Sequence, residues 1–229
     1  MKVVIFGATG MVGMGVLLEC LDDRRVESVL VVSRHPLEVS HPKLHEVIRN
    51  AFFDFSDIQR QFVDMDACFF CLGVSSIGMS ESEYHHLTYD LTLAAATALA
   101  SETARRLTFC YVSGEGTDST ERGRTAWART KGKTENALLR LPFKAAYMFR
   151  PGYIQPLKGI RSKTPWYQAL YGAVGPLYPL LRLLLPRHVT TTANLGRAMI
   201  EVAANGYSKP ILSSDDINQV AAAAAPVHM

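Results

Sequence analysis

The residues that most constrain the fold lie at the start of the chain, where an apolar run leads through three glycines into a helical pattern. The segment reads KVVIFGATGMVGMGVLLECL, and its glycines follow directly after the apolar residues 2–6. Glycine at these positions permits a tight turn and lets backbone N–H groups approach a phosphate at the N-terminus of the next helix. Between a strand and a helix, this spacing predicts a dinucleotide-binding loop. The predicted ligand contacts within it are Gly7, Thr9, Gly10, Met11, Val12 and Gly13.

Short apolar runs and helical patterns then alternate along the chain. The predicted strands are 2–6, 27–33, 67–72, 106–113 and 144–150, with a further strand expected before Asp54. The predicted helices are 11–21, about 81–104, about 124–140 and 190–205. Continuous apolar runs suit strands that are covered on both faces. The alternation therefore predicts an α/β fold with a Rossmann-type, doubly wound parallel sheet.

The texture of the sequence changes after Arg150, where prolines become frequent and regular periodicity is lost. We expect a single domain over 1–229, with a core of about 1–155, a small C-terminal lobe of about 151–206 and a poorly ordered tail at 219–229. Residues 164–181 carry no charge. They could form a lid or the interface of a homodimer, or contact a membrane surface, but their prolines and glycines argue against a spanning helix.

Composition excludes some classes of function. A net charge of +3 without a Lys/Arg cluster argues against nucleic-acid binding. No secretory signal pattern stands at the start, and four cysteines suit a reducing compartment, so we expect a cytoplasmic protein. Cys68 and Cys71 form a C-x-x-C within a predicted strand, and we interpret them as core residues. No histidines accompany them at zinc spacing, and no metal site is predicted.

The residues after the second strand indicate which dinucleotide is bound. NAD-preferring folds of this type usually carry an acidic residue there, whereas this chain has Ser33 and Arg34. An arginine can pair with a 2′-phosphate, which favours NADP over NAD. Asp54 and Phe55 are predicted to flank the adenine. Leu72 and Gly73 end the fourth strand, at the sheet edge where ligands bind.

Three features together resemble the short-chain dehydrogenase/reductase superfamily: GATGxxG, Ser113 at the end of the fifth strand, and a helix that carries Lys131. The chain is most similar to the atypical, extended, epimerase-like members, including the Tat-interacting-protein-like group, over residues 1–155. FRPGYIQP is similar to the segment that those proteins place against the nicotinamide, which implies contacts from Pro151 and Gly152. Asp90 matches a position where the superfamily usually carries Asn or Asp.

The resemblance also implies a catalytic set, and one member of it is changed. In active members a Tyr-x-x-x-Lys pair works with a serine, and by position Ser113 and Lys131 fill two of these roles. The lysine would hold the nicotinamide ribose. Trp127 takes the place of the tyrosine; its indole N–H can donate a hydrogen bond but cannot act as an acid or base near neutral pH.

Three interpretations therefore stay open. The chain could be an NADP(H)-dependent oxidoreductase or epimerase-like enzyme for a small carbonyl or hydroxyl compound, with Tyr153, Tyr84 or a water as proton source. It could instead be a non-catalytic NADP(H)-dependent sensor. In the third interpretation, Trp127 is core packing near an unrelated site. Glu115 and Asp118, just past Ser113, could touch the substrate, but we expect them to lie in a solvated loop.

Overall fold

A parallel sheet of seven strands organises the computed structural model, which describes residues 1–103, 105–160 and 178–224. Its strands are β1 (Lys2–Phe6), β2 (Ser28–Ser33), β3 (Leu44–Ile48), β4 (Ala67–Phe70), β5 (Thr108–Val112) and β6 (Ala145–Arg150), with β9 (Ile211–Ser213). The strand order is β3-β2-β1-β4-β5-β6-β9, and every pair is parallel. A separate parallel pair joins β7 (Tyr153–Gln155) to β8 (Val189–Thr191). The predicted α/β fold with a doubly wound parallel sheet is confirmed.

Helices follow several of the strands in the described part of the chain. They are α1 (Met11–Asp22), α2 (Glu81–His85), α3 (Leu91–Thr103), α4 (Ala126–Arg140), α5 (Tyr178–Leu184), α6 (Thr192–Asn205) and α7 (Ser214–Ala223). The long helix expected at 81–104 begins at the predicted capping box of Ser80 and Glu83, but a π-helical turn at His86–Asp90 separates α2 from α3. Within that turn His86 Nδ1 lies 2.8 Å from a carboxylate oxygen of Asp90.

The core has two halves, one on each face of the sheet, because side chains alternate along each strand. On β1, Val3 and Ile5 pack into the cluster that includes residues of α1 and α6. Val4 and Phe6 pack into the opposite cluster, which includes residues of α3 and α4 and several phenylalanines. Strands covered on both faces explain why the sequence runs are continuously apolar rather than alternating.

The C-terminal third contributes more to the core than its sequence suggested. Helix α6 is capped by Thr191, one residue before the Thr192 cap that the sequence predicts, and the Thr191 hydroxyl accepts a hydrogen bond from the backbone N–H of Asn194 over 2.9 Å. It packs against α1, and β9 beyond it joins the main sheet. The expectation of a poorly ordered tail at 219–229 is wrong for residues 219–223, which end helix α7 with Val220 and Ala221 buried.

Two segments with sequence-based expectations are not covered by the described residues. Residues 225–229 and most of the uncharged stretch 164–181 lie outside the described residues. Among the residues that are described, no helix combines the length and the apolar character needed to cross a bilayer.

Candidate active site

Two of the three glycines in the loop after β1, Gly7 and Gly13, leave no space for a side chain. Gly7 has a φ of +86°, and a Cβ on it would lie 2.7 Å from the backbone nitrogen of Leu72. A Cβ on Gly13 would overlap the carbonyl oxygen of Gly7. The Gly10 N–H donates to that same carbonyl over 3.0 Å, which closes the turn. The structure thus brings the three predicted glycines together where the chain enters α1.

The N-terminus of α1 fits an anionic group. Gly10 caps the helix without a side-chain hydrogen bond, and the first turn contains no acidic residue. The positive end of the helix dipole and the first backbone N–H groups are therefore not neutralised by the chain itself. Thr9, Met11 and Val12 lie at this turn and are partly buried. These features suit the pyrophosphate of a dinucleotide.

The end of β2 presents one buried and one exposed polar side chain. Ser33 is buried, and its hydroxyl donates to the carbonyl of His35 over 2.7 Å, so it stabilises the turn after the strand. Arg34 is exposed next to it. Of the two residues predicted to read the ribose 2′ position, only Arg34 presents an exposed side chain.

Of Asp54 and Phe55, too, one side chain is exposed and the other is buried. Phe55 is 2% exposed, and its ring meets that of Phe6 edge-on at 5.7 Å, so the ring is a core contact. Asp54 is exposed, and the hydrogen bond from the backbone N–H of Ser56 lowers the pKa of its carboxyl group. Residues 53–56, Gln59 and one face of α3 line an open cavity of about 570 Å³.

The predicted catalytic residues meet at the end of β5. Lys131 Nζ donates a hydrogen bond to the backbone carbonyl of Ser113. Burial lowers the pKa of Lys131 to about 8, and the negative charge of Glu135 opposes that shift. Trp127, one turn earlier on α4, lies against the loop after Ser113. A Cβ added to Gly116 in that loop would stand 3.2 Å from the indole ring.

The hydroxyl of Ser113 points into a buried polar network that sequence reasoning missed. It donates to a carboxylate oxygen of Glu135 over 2.5 Å and lies 3.2 Å from the carbonyl oxygen of Phe149. Glu135 is fully buried and forms a two-point ion pair with Arg150. The network ties α4 to the ends of β5 and β6. One signal was readable: Glu135 lies one helical turn after Lys131.

The alternative proton sources are also engaged with the protein. The hydroxyl of Tyr153 donates to Gln155 over 2.9 Å, and burial raises its pKa. Tyr84 is 4% exposed. Beside Tyr153, the Gly152 N–H donates to the Ser214 hydroxyl over 2.9 Å, which fixes the predicted nicotinamide segment of Pro151 and Gly152 against α7.

The cysteines agree with the interpretation of Cys68 and Cys71 as core residues. Cys68 is buried and Cys71 is partly buried, and neither forms a disulfide. Burial raises the pKa of the Cys71 thiol to about 12, which disfavours thiolate chemistry. In the described ranges, no group of three or more His, Cys, Asp or Glu side chains is arranged to hold a metal ion.

Solved structures with this architecture include a short chain dehydrogenase family protein and an epimerase. A short chain dehydrogenase family protein from Francisella tularensis matches with a TM-score of 0.66 and 12% identity, over 90% of this chain and 91% of that one. A UDP-glucose 4-epimerase matches with a TM-score of 0.66 and 15% identity, over 96% of this chain and 80% of that one. The chain has the short-chain dehydrogenase/reductase fold. The resemblance deduced from the sequence is confirmed at this level.

The sequence relatives of the chain are distant. No family model matches the chain. "Protein FMP52, mitochondrial" of Meyerozyma guilliermondii is 27% identical over 154 residues, which are 67% of this chain and 65% of that protein. Its counterpart in Debaryomyces hansenii is 24% identical over 94% of this chain and 91% of that protein. A third relative, from Aspergillus terreus, is named "Protein fmp52-2, mitochondrial" and is 24% identical.

These names correct the expected location. All three relatives are called mitochondrial, which contradicts the prediction of a cytoplasmic protein. The prediction failed because a missing secretory signal pattern addresses only the secretory route, and a low cysteine content is equally compatible with other reducing compartments.

Proposed function

We propose that this chain binds NADP(H) along the carboxyl edge of the sheet. The pyrophosphate would lie on the glycine loop and the α1 N-terminus, with the adenosine toward β2 and β3. The nicotinamide would lie toward β5 and β6, because the strand order reverses direction between β1 and β4. The observation that carries this proposal is the close approach at Gly7 and Gly13, which only glycine permits, at a helix N-terminus that the chain does not neutralise.

Arg34 would supply the preference for NADP by pairing with the 2′-phosphate. A hydrogen bond to a charged group contributes about 1.5–3 kcal/mol, so Arg34→Ala should weaken NADPH binding roughly 10- to 150-fold. Binding of NADH, which lacks the phosphate, should change by less than about threefold. Arg140→Ala, which removes an exposed arginine at the far end of α4, is the matched control. Equal losses for NADPH and NADH, measured by fluorescence titration, would contradict this assignment.

The reaction that we propose is oxidoreduction, or an epimerase-like reaction, at a small carbonyl or hydroxyl compound. When bound, the dinucleotide would supply or accept a hydride at the substrate carbon. Lys131 would hold the nicotinamide ribose through its ammonium group, and the Trp127 indole N–H would orient the substrate oxygen. The names of the relatives extend this proposal to a mitochondrial setting.

A specific observation favours a second candidate, a non-catalytic NADP(H)-dependent sensor. Trp127 cannot titrate near neutral pH, and the hydroxyl of Ser113 is occupied by Glu135. Turnover of a broad carbonyl panel with NADPH separates the two candidates when the natural chain is compared with Trp127→Tyr. Measurable turnover by the natural chain supports the enzyme. A silent natural chain with an active tyrosine variant supports the sensor.

A further inference from the structure

Two titratable side chains that are 73 residues apart in the sequence meet at the end of β6. Glu115 follows β5 by three residues, and His188 stands directly before β8. His188 Nδ1 and a carboxylate oxygen of Glu115 are 2.5 Å apart. Both side chains are about half exposed, at 56% for the histidine and 49% for the glutamate. The pair is thus reachable by a ligand while each partner holds the other.

The backbone fixes the pair against the segment predicted to face the nicotinamide. The Glu115 N–H donates to the carbonyl of Pro151, and the Tyr153 N–H donates to the carbonyl of His188, both over 2.9 Å. A Cβ on Gly152 would overlap both the Glu115 carboxylate and the His188 carbonyl. Glycine at position 152 is therefore what allows the two chain segments to close over the end of β6.

Trp127 lies on the same side of this sheet edge. Gly116, the residue after Glu115, contacts its indole ring, since a Cβ there would stand 3.2 Å away. Strands β4 and β5 lie between β1 and β6, so the pair at the end of β6 is about three strand spacings, or roughly 14 Å, from the glycine loop. A dinucleotide anchored on that loop and extended toward β5 would bring its far end close to Glu115 and His188.

The Glu115–His188 pair can transfer a proton, which the indole of Trp127 cannot do near neutral pH. An ionised carboxylate only accepts hydrogen bonds, so the Nδ1 that faces Glu115 carries the proton. Nε2 is then the ring atom that can exchange a proton with a ligand. It accepts a hydrogen bond in the neutral imidazole and donates one in the imidazolium. Histidine is the side chain that can both give and take a proton near neutral pH. A carboxylate that accepts from Nδ1 fixes the tautomer and the orientation of the ring.

We propose that His188, positioned by Glu115, is the proton donor and acceptor of this site in place of the missing tyrosine. The inference rests on the proposed function. In the reductive direction, NAD(P)H would provide a hydride, with its two electrons, to the carbonyl carbon. His188 gives the Nε2 proton to the carbonyl oxygen, which becomes the hydroxyl of the product. The neutral imidazole then takes a proton from solvent, which its exposure allows.

A first experiment tests the location without any turnover. The natural chain is treated with diethyl pyrocarbonate, and modification of each histidine is followed by mass spectrometry. NADPH should slow modification of His188 at least tenfold. Adenosine 2′,5′-bisphosphate, which fills only the adenosine half, should change it by less than twofold. Exposed His45 on β3 serves as the internal control. Saturable NADPH binding without protection of His188 overturns the inference alone, whereas no NADPH binding overturns the proposed function and the inference together.

A second experiment tests the role. His188→Gln should lower kcat for carbonyl reduction by about 100- to 10,000-fold, the usual effect of losing one acid–base group. Its NADPH affinity and KM should stay within about twofold of the natural chain. Glu115→Gln keeps the size of the side chain and should lower kcat at least tenfold with KM unchanged, since it acts by positioning His188. His45→Gln is the matched control and should leave both constants unchanged.

Two outcomes contradict the role. If His188→Gln retains kcat within about threefold of the natural chain, His188 is not the proton donor, although the chain is still an enzyme. If NADPH protects His188 but the natural chain reduces no carbonyl in the panel, the catalytic inference is wrong and the sensor is supported.

Discussion

Lys131 should make the stability of this protein depend on pH in an unusual direction. Its pKa falls from 10.5 in an exposed lysine to about 8 in the folded chain, chiefly through burial. Between these two values the unfolded chain binds more protons than the folded one. The free energy of unfolding therefore rises with pH across the window from about 8 to 10.5. Below pH 8 the lysine is charged in the folded chain, and its burial lowers the free energy of unfolding by the full amount.

The size of the effect follows from the shift. One pKa unit corresponds to about 1.4 kcal/mol, so Lys131 alone should raise the free energy of unfolding by about 2–3 kcal/mol between pH 7 and pH 10. Lys131→Met removes this contribution. The difference in stability between the natural chain and the variant should shift by that amount in favour of the natural chain as the pH rises.

Urea unfolding at a series of pH values measures this difference, and titration of other groups cancels between the two chains. Lys144→Met, which replaces an exposed lysine before β6, is the control and should follow the natural profile. If the natural chain and Lys131→Met have parallel profiles from pH 7 to pH 10, Lys131 is not perturbed by burial. The same variant should lose NADPH affinity, so a stabilised chain at pH 7 with unchanged NADPH binding would contradict the ribose assignment.

Two further substitutions test the packing around the site. Glu135→Gln leaves Arg150 without its carboxylate, and breaking such a buried pair should lower the free energy of unfolding by roughly 3–5 kcal/mol. Glu81→Gln, which breaks a pair through a 58% exposed carboxylate, should cost less than about 1 kcal/mol, and similar losses would show that the Ser113 network is not buried. Gly13→Ala should cost more than about 2 kcal/mol because its Cβ overlaps backbone, whereas Gly73→Ala, with nothing within 4 Å, should stay within about 0.5 kcal/mol. Urea unfolding checks all four, and a well-tolerated Gly13→Ala would contradict the loop geometry.

The parts of the fold that the sequence predicted are those with local signals. Strand β1, the glycine loop and α1 combine a buried run, three glycines and a helical pattern within about twenty residues. Strand β9 has three residues, Ile211–Ser213, and gives no periodicity to detect. Residues 219–223 of helix α7 fall in the stretch expected to be a poorly ordered tail, although Ser213 and Asp216 form a capping box at the start of the helix. The alanines that made the tail look featureless are strong helix formers.

In the candidate site, too, the features with a local sequence signal were predictable and those that depend on the tertiary fold were not. Glycine positions and the lysine one turn after Trp127 follow from spacing alone. The ion pair of Glu135 with Arg150 and the contact of Glu115 with His188 depend on how the strand ends meet in space. No sequence pattern encodes a contact between residues 73 positions apart. The burial of Phe55, which the sequence predicts to flank the adenine, likewise depends on the tertiary fold, because an aromatic residue at that position suits either a ligand contact or the core.

The central claim is that the glycine loop holds a nicotinamide dinucleotide, and isothermal titration of the full chain with NADPH tests it most directly. We predict saturable binding of one NADPH per chain, and loss of that binding in any folded variant in which a side chain at position 13 displaces the carbonyl of Gly7. An absence of saturable binding for both NADPH and NADH would contradict it.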